Sequence, residues 1–168
     1  AGHSAGEWNA CLAAGMIDLE SVSQLHKRIL DHSIDMPDAL FLSAGCGVQD
    51  IEDILQDFPA IYLSNDNCPH QVILCGSTED VNRCRERLNQ KGFLNHILPF
   101  RSGFHTPFAH ALTHDAEAAI NSLEFKNAAI PVWSATTTET YPEDVTEIKR
   151  LQITHLLQTV RFRELIEN

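Results

Sequence analysis

The stretch Gly2-His3-Ser4-Ala5-Gly6-Glu7 organises the sequence, because it matches the pattern G-x-S-x-G. In this pattern a serine lies on a sharp turn between a strand and a helix, where its hydroxyl can act as a nucleophile. We expect both flanking glycines to be required, since a side chain at either position would collide in so tight a turn. The alanine-rich run at residues 10–14, followed by Gly15, predicts that a buried helix comes next and ends there.

Such a helix would direct its N-terminal N–H groups and the positive end of its dipole at Ser4, which suits a developing oxyanion. By the same geometry, the N–H of Ala5 is expected to be one donor of an oxyanion hole. The turn also requires a strand before the serine, and only residues 1–3 precede it. We therefore interpret the sequence as a fragment that lacks its N-terminal part.

Composition restricts the class of protein. With 168 residues, of which 43% are hydrophobic, the chain can bury the core of one or two domains. No apolar run approaches the ~20 residues that span a bilayer. A net charge of −11 argues against nucleic acid and anionic membranes as partners. The five cysteines form no C-x-x-C pair, which predicts buried thiols in a reducing compartment and a cytoplasmic protein.

Strands and helices alternate regularly in the middle of the sequence. Hydrophobic periodicity predicts strands at 39–43, 61–63, 71–75 and 96–100, with helices at 48–58 and 78–90. This β-α-β-β-α-β order is typical of a ferredoxin-like unit. Around it we predict helices at 18–30, 107–123, 143–158 and 161–167, and a buried strand at 131–136. The prediction is an α/β body, residues 1–37 and 101–168, interrupted by a ferredoxin-like subdomain at 38–100.

A serine nucleophile needs a base to take its proton, and that base is usually histidine. His105 is the best candidate among nine histidines, because it lies in the loop after the last strand of the subdomain, where catalytic groups of α/β proteins gather. On spacing alone, an ordinary loop histidine remains the alternative. We expect His3 to point away from Ser4, and His155 to be solvated on a helix surface.

His110 and His114 lie four residues apart on a predicted helix and could share a zinc ion. The glutamate of the H-E-x-x-H motif is replaced by Ala111, and no third ligand is evident. We therefore predict solvated histidines here and no metal site.

Taken together, the motifs resemble the acyltransferase domain of the malonyl-CoA:acyl-carrier-protein transacylase family of fatty-acid and polyketide synthases. The matching blocks follow the family's order along essentially the whole chain: Gly2–Glu7, Ala14–Ile17, Asn67–Val72, Cys75–Gly76, Gly103–Phe108, Pro131–Ser134 and Val160–Phe162. The resemblance implies an α/β-hydrolase-like body with a ferredoxin-like subdomain inserted between the serine and the histidine.

The resemblance further implies that Ser4 is the nucleophile and His105 the general base and later acid. The reaction would be ping-pong: an acyl group passes from acyl-CoA to Ser4, then to the phosphopantetheine thiol of an acyl carrier protein. No permanently bound cofactor is implied, and the partners would be the carrier protein and covalently linked synthase domains. In the family a second oxyanion donor and the backbone group that orients the histidine lie elsewhere. We expect both to be outside this chain, and the isolated fragment to be inactive.

Three positions bear on the acyl group. Malonyl-type members hold the substrate carboxylate with an arginine about 25 residues after the serine, where an ungapped alignment places Ile29. This favours a monocarboxylic acyl group, although a one-residue shift would place Arg28 there instead. Phe104 matches the bulky residue that excludes an α-methyl branch in malonyl-selective members. Asn67, in the block similar to N-x-P-x-Q-V, is a further substrate-binding candidate.

Two other functions stay open at the level of sequence. One is hydrolysis of acyl thioesters by a proofreading acyl hydrolase or a serine esterase, which fits members that lack the arginine. The other is a non-catalytic docking or structural remnant. Carrier proteins are acidic, so a docking site would need basic residues, for which Arg101, Arg161 and Arg163 are candidates.

Overall fold

The computed structural model describes residues 1–33, 38–99 and 101–168, and describes only the backbone of residue 26 and of residues 28–33. The helices are α1 (Ala5–Ala13), α2 (Leu19–Ser33), α3 (Glu52–Asp57), α4 (Thr78–Gln90), α5 (Thr113–Asn121), α6 (Val145–Leu157) and α7 (Phe162–Glu167). The strands are β1 (Leu40–Ala44), β2 (Tyr62–Cys68), β3 (Gln71–Gly76), β4 (Asn95–Ile97) and β5 (Val160–Arg161). Within these ranges no helix has the length and apolar character to cross a membrane.

The strands form one five-stranded sheet in the order β4-β1-β3-β2-β5. The first four are antiparallel neighbours, and α3 and α4 provide the two crossovers, so the predicted ferredoxin-like arrangement is confirmed. Strand β5 then pairs in parallel with β2, with Asn65 opposite Val160. This short pairing joins the C-terminal part of the chain to the sheet of the ferredoxin-like unit.

Strand β2 is longer than the predicted segment at 61–63. Its second half is polar, so the hydrophobic pattern did not predict it. Ser64, Asn65 and Asp66 are all buried, and each has a side-chain partner. The hydroxyl of Ser64 donates to Asn65 Oδ1 at 2.8 Å, while Asp66 pairs with Arg163 of α7 at 2.9 Å. Hydrophobic periodicity cannot detect a strand whose buried face is satisfied by hydrogen bonds and an ion pair.

Two large apolar clusters form the core. One lies between the helices α1, α2, α5 and α6 and includes Cys11, Met16, Leu25, Ile120 and Ile148. The other lies between the first four strands and α3 and α4 and includes Leu42, Ile54, Leu74, Val81 and Leu88. The separation of the clusters favours the predicted division into body and subdomain. We retain its boundaries at residues 38 and 100 as a proposal.

The predicted strand at 131–136 is wrong. Within this segment the structure contains a single isolated bridge, between Trp133 and Thr140. The chain turns back at once: Ser134 N donates to Glu139 O at 2.9 Å, and Tyr141 N donates to Val132 O at 2.8 Å. The run that suggested a buried strand is instead a tight loop whose side chains, Val132, Ser134 and Ala135 among them, are buried.

The predicted helix at 107–123 has two parts. It begins as a 3₁₀ segment, Pro107–Leu112, and continues as α5. Thr106 caps the first turn, since its hydroxyl accepts a hydrogen bond from Phe108 N at 3.3 Å. A 3₁₀ segment likewise precedes α3, at Val48–Ile51. The helix predicted at 78–90 coincides with α4 and is capped by Ser77, which accepts from Asp80 N.

Candidate active site

Ser4 caps α1 from a strained turn. Its φ of 51° and ψ of −122° lie in a region that residues other than glycine rarely adopt. The turn closes directly into the helix, because Glu7 N donates to Ser4 O at 2.8 Å and Gly6 N donates to His3 O at 2.9 Å. The backbone therefore has the geometry of the strained turn expected from G-x-S-x-G.

Only one of the two glycines of the motif, Gly2, lacks space for a side chain. A Cβ at Gly2 would lie 2.0 Å from the carbonyl oxygen of Gly6, whereas a Cβ at Gly6 would meet nothing within 4 Å. The collision expected at Gly2 is therefore confirmed, and the one expected at Gly6 is wrong. The reason is the direction of the Cα–H bonds: that of Gly2 points across the turn, and that of Gly6 points into open space.

Ser4 and His105 are in contact, although the ferredoxin-like unit lies between them in the sequence. The Oγ atom of Ser4 lies 2.6 Å from Nε2 of His105. At the other edge of the ring, Nδ1 lies 2.7 Å from the carbonyl oxygen of His155. A carbonyl can only accept, so Nδ1 carries the proton and Nε2 presents its lone pair to the serine hydroxyl. This arrangement can move the serine proton to the imidazole.

The histidine-orienting group was expected outside this chain, and that expectation is wrong. The group is the carbonyl of His155, near the C-terminus of α6. The next carbonyl, that of Leu156, accepts the backbone N–H of His105 at 2.7 Å. Both belong to the last turn of α6, where carbonyl groups lack partners within the helix. The end of one helix thus fixes the backbone and the ring of His105, whose φ is 63°.

His155 itself is buried, not solvated as the sequence suggested, with 1% of its surface exposed. The spacing of residues along α6 could have predicted this burial. The buried residues of α6 are Ile148, Leu151, Gln152, His155 and Leu156, which recur every three or four residues and define one face. His155 continues that face, so its position predicted burial although its residue type did not.

The pKa of His105 is lowered to about 3. Burial is the main cause, because it penalises the charged imidazolium, and the neighbouring ring of His155 adds to the effect. The two rings lie 5.0 Å apart between centroids. His105 is therefore neutral at physiological pH, which is the state in which it can accept a proton.

Glu7 follows the serine turn and is fully buried. Its carboxylate accepts hydrogen bonds from the hydroxyl of Tyr141 and from Ala135 N at 3.0 Å. Burial and the charge of Glu7 raise the pKa of Tyr141 well above its usual value, so the phenol remains a donor. The carboxylate thereby ties the start of α1 to the loop at 132–141.

The N–H of Ala5 is the first of α1 and has no acceptor within the helix. The next two N–H groups are engaged by the carbonyls of His3 and Ser4. The role of the Ala5 N–H as oxyanion donor, expected from the sequence, stays a prediction.

A cavity of about 310 Å³ opens beside Ser4 and His105. Its apolar wall comes from Phe41, Ile73, Leu98 and Phe104, and its polar residues are His3, Ser4, Ser64, Asn65, Asn67, Ser102 and His105. Phe104 therefore lines the cavity, and its role in substrate binding stays a prediction. The side chain of Ile29 lies outside the described residues, so its predicted contact stays a prediction.

Asn67 lines the cavity, but both ends of its amide are engaged within the protein. Its Oδ1 accepts from His3 Nε2 at 2.7 Å, and its Nδ2 donates to Gln71 Oε1 at 2.9 Å. The ring of His3 also packs edge-on against Phe162. His3 is turned from the serine hydroxyl towards Asn67, as expected, and borders the cavity.

Other candidates from the sequence lie apart from this site. In the part of the chain that the structure describes, no group of three or more His, Cys, Asp or Glu residues could hold a metal ion. The thiols of Cys11, Cys46, Cys75 and Cys84 are buried, and Cys68 is partly exposed. Burial raises the pKa of the Cys11 thiol to about 12, so this thiol is not a nucleophile.

Comparisons with known proteins identify the family and the fold. The model of the family described as acyl transferase domain matches residues 1–168. The chain belongs to this family. Among curated relatives, a probable polyketide synthase 3 of Dictyostelium discoideum is 30% identical over 99% of the chain, which covers 6% of that protein. A polyketide biosynthesis malonyl CoA-acyl carrier protein transacylase of Bacillus velezensis is 30% identical over 86% of the chain and 52% of its own length.

A solved malonyl CoA-acyl carrier protein transacylase from Burkholderia pseudomallei superposes with a TM-score of 0.90 over 98% of this chain. Its sequence identity is 24%, so the likeness establishes the fold alone, and the chain covers 57% of that structure. The acyltransferase-type α/β fold predicted from the sequence is thereby confirmed. The chain spans a small part of the synthase relative and about half of the single transacylases.

Proposed function

We propose that the protein transfers an acyl group from acyl-CoA to the phosphopantetheine thiol of an acyl carrier protein, in fatty-acid or polyketide biosynthesis. The observation that carries the proposal is the relay from Ser4 Oγ through the ring of His105 to the carbonyl of His155, with contacts of 2.6 Å and 2.7 Å. Family membership supports acyl transfer as the reaction, and the names of its relatives support these substrates.

In the first half-reaction, Ser4 Oγ attacks the thioester carbonyl while His105 Nε2 takes the serine proton. The oxyanion that forms faces the N–H of Ala5 and the N-terminal end of α1. As the C–S bond breaks, the imidazolium returns the proton to the CoA sulfur and leaves an acyl-serine. The carrier-protein thiol then repeats these steps in reverse, with its proton passing through His105 to Ser4.

For the acyl group, we propose a monocarboxylic chain. The cavity wall of Phe41, Ile73, Leu98 and Phe104 favours apolar contact with the acyl chain. The proposal that Ile29 replaces a carboxylate-binding arginine points the same way. Phe104 would border the acyl chain, whereas Asn67 would shape the entrance through its bonds to His3 and Gln71.

For partners, we propose acyl carrier protein and covalently linked synthase domains, in the cytoplasm. Docking would use basic residues, for which Arg101, Arg161 and Arg163 are the candidates.

The test is acylation of the purified full-length protein by acetyl-, butyryl- and malonyl-CoA, followed by intact mass measurement and addition of carrier protein. We expect an acyl adduct that is absent in Ser4→Ala and that moves to the carrier protein. Hydrolysis faster than transfer would contradict the transferase and favour a thioester hydrolase. Absence of any adduct in the wild-type protein would favour a non-catalytic remnant. Preference for malonyl-CoA would contradict only the proposed monocarboxylic acyl group and would leave the proposed acyl transfer unaffected.

A further inference from the structure

His155 contacts both residues of the proposed relay through different atoms. Its carbonyl accepts the Nδ1–H of His105 at 2.7 Å. Its own ring nitrogen Nε2 lies 3.2 Å from the carbonyl oxygen of Ser4. Only 1% of the residue is exposed, so water cannot replace either contact. One residue thus connects the backbone of the serine turn to the ring of the predicted base.

The surroundings of the His155 ring determine which nitrogen carries the proton. The Ser4 carbonyl can only accept, so Nε2 must donate. Nδ1 then presents its lone pair to the hydroxyl of Thr136, at 2.9 Å. The carboxylate of Glu7 lies further away, at 3.6 Å from Nδ1, and already accepts from Tyr141 and Ala135. Thr136 is therefore the donor to Nδ1 in the tautomer that bonds to Ser4.

The serine turn needs such support, because its backbone is strained. Ser4 has a φ of 51° and His105 a φ of 63°, and conformations of this kind persist only where the surroundings over-determine them. A rigid helix residue that bonds to both sides fixes the separation of Ser4 Oγ and His105 Nε2. In such relays a displacement of about 1 Å can reduce the rate by about 10²-fold.

We propose that the side chain of His155 is a positioning residue, which holds the Ser4 turn in register with His105 through the Nε2–H to Ser4 O bond. The ring donates to a backbone carbonyl and does not reach the hydroxyl of Ser4, so it is not a second base. This inference rests on the acylation of Ser4 proposed above. It adds a role for a side chain to the role of its carbonyl.

The test compares His155 variants of the full-length protein in single-turnover acylation by acyl-CoA, with thermal unfolding measured in parallel. His155→Gln keeps a side-chain N–H at the reach of Nε2, and His155→Leu removes it. Both keep the backbone carbonyl. We expect His155→Leu to lower the acylation rate at saturating acyl-CoA by about 10²-fold with unchanged KM. His155→Gln should stay within about fivefold of wild type.

Thr136→Val provides a second route, since it removes the hydroxyl that donates to Nδ1 of this tautomer and leaves His155 in place. We expect a five- to tenfold loss of rate, on the order of one hydrogen bond. Gln152→Leu is the matched control: Gln152 is buried on the same face of α6, bonds to Cys11 instead of Ser4 or His105, and should acylate at the wild-type rate.

Wild-type rates in His155→Leu, or a His155→Gln rate as low as that of a folded His155→Leu, would overturn the inference. If His155→Leu fails to fold, Thr136→Val decides, and a wild-type rate in that variant overturns it. Loss of rate in Gln152→Leu equal to that in His155→Leu would also overturn it, by showing a general effect of α6. Failure of the wild-type protein to form an adduct would instead contradict the proposed function.

Discussion

Ser4 Oγ and His105 Nε2 lie 2.6 Å apart although 101 residues separate them in the chain, and both residues have a positive φ, 51° and 63°. Each such conformation costs about 1–3 kcal/mol in residues other than glycine. The two residues that the proposed chemistry needs are therefore held in backbone conformations that are unfavourable for folding. This relationship predicts that activity and stability conflict at Ser4.

We predict that Ser4→Gly stabilises the protein while it abolishes acylation. Glycine adopts the backbone angles of position 4 without steric cost, so the free energy of unfolding should rise by about 0.5–1 kcal/mol. Ser4→Ala is the matched control, because it also removes the hydroxyl but keeps the Cβ and the strain. Urea denaturation of the three proteins measures the difference. A glycine variant that is no more stable than the alanine variant would show that position 4 is unstrained.

We predict that His105 makes the native state less stable below neutral pH. Its pKa is about 3 in the folded protein and about 6.5 in an unfolded chain, so between these values only the unfolded state binds the proton. The free energy of unfolding is therefore unaffected by His105 above about pH 6.5 and falls by about 1.4 kcal/mol per pH unit below it. The check is the free energy of unfolding at pH 7.5 and 5.5, in wild type and in His105→Gln. The variant should lose about 1.4 kcal/mol less, and equal losses would contradict a neutral buried imidazole.

Much of this fold could be predicted because the patterns that determine it lie within short stretches of the sequence. The serine turn requires a close backbone approach at Gly2, and α4 combines a capping Ser77 with regular helical spacing. Both features depend on residues within a few positions of one another, and the structure contains both. The ferredoxin-like arrangement could be predicted from the order of the elements along the chain, because β-α-β-β-α-β is typical of that unit.

Features that depend on contacts distant in sequence could not be predicted in this way. His155 bonds to Ser4, 151 residues away, and the polar half of β2 is buried because Asp66 pairs with Arg163, 97 residues away. In both cases a polar residue is buried because a remote partner satisfies it, whereas hydropathy predicts exposure. The loop at 132–141 was predicted as a strand for a related reason, since its side chains are buried in a tight loop and not in a sheet.

The two motif glycines should respond differently to substitution. Gly2→Ala places a Cβ 2.0 Å from Gly6 O, which the turn can relieve only by moving Ser4. We predict a loss of at least about 2 kcal/mol in stability and the loss of Ser4 acylation. Gly6→Ala should keep wild-type acylation and gain up to about 1 kcal/mol, because alanine is the better helix former and its Cβ meets no atom within 4 Å. Thermal unfolding and adduct formation distinguish the two, and equal damage would show that the open side of the turn is occupied.

The buried carboxylate of Glu7 predicts strong energetic coupling to Tyr141. The Tyr141 hydroxyl is one of its two donors, along with Ala135 N. Tyr141→Phe should therefore lower the free energy of unfolding by about 1–3 kcal/mol, since a buried charge loses a hydrogen bond. In a Glu7→Gln background the same substitution should cost about 1 kcal/mol less, because a neutral amide depends less on that donor.

Tyr62→Phe serves as the control, as Tyr62 is half-buried and its phenol can be hydrated. Urea denaturation of the four proteins of this cycle measures the coupling. Additive losses would show that the start of α1 is held to the loop at 132–141 by packing alone, without a contribution from the charged hydrogen bond.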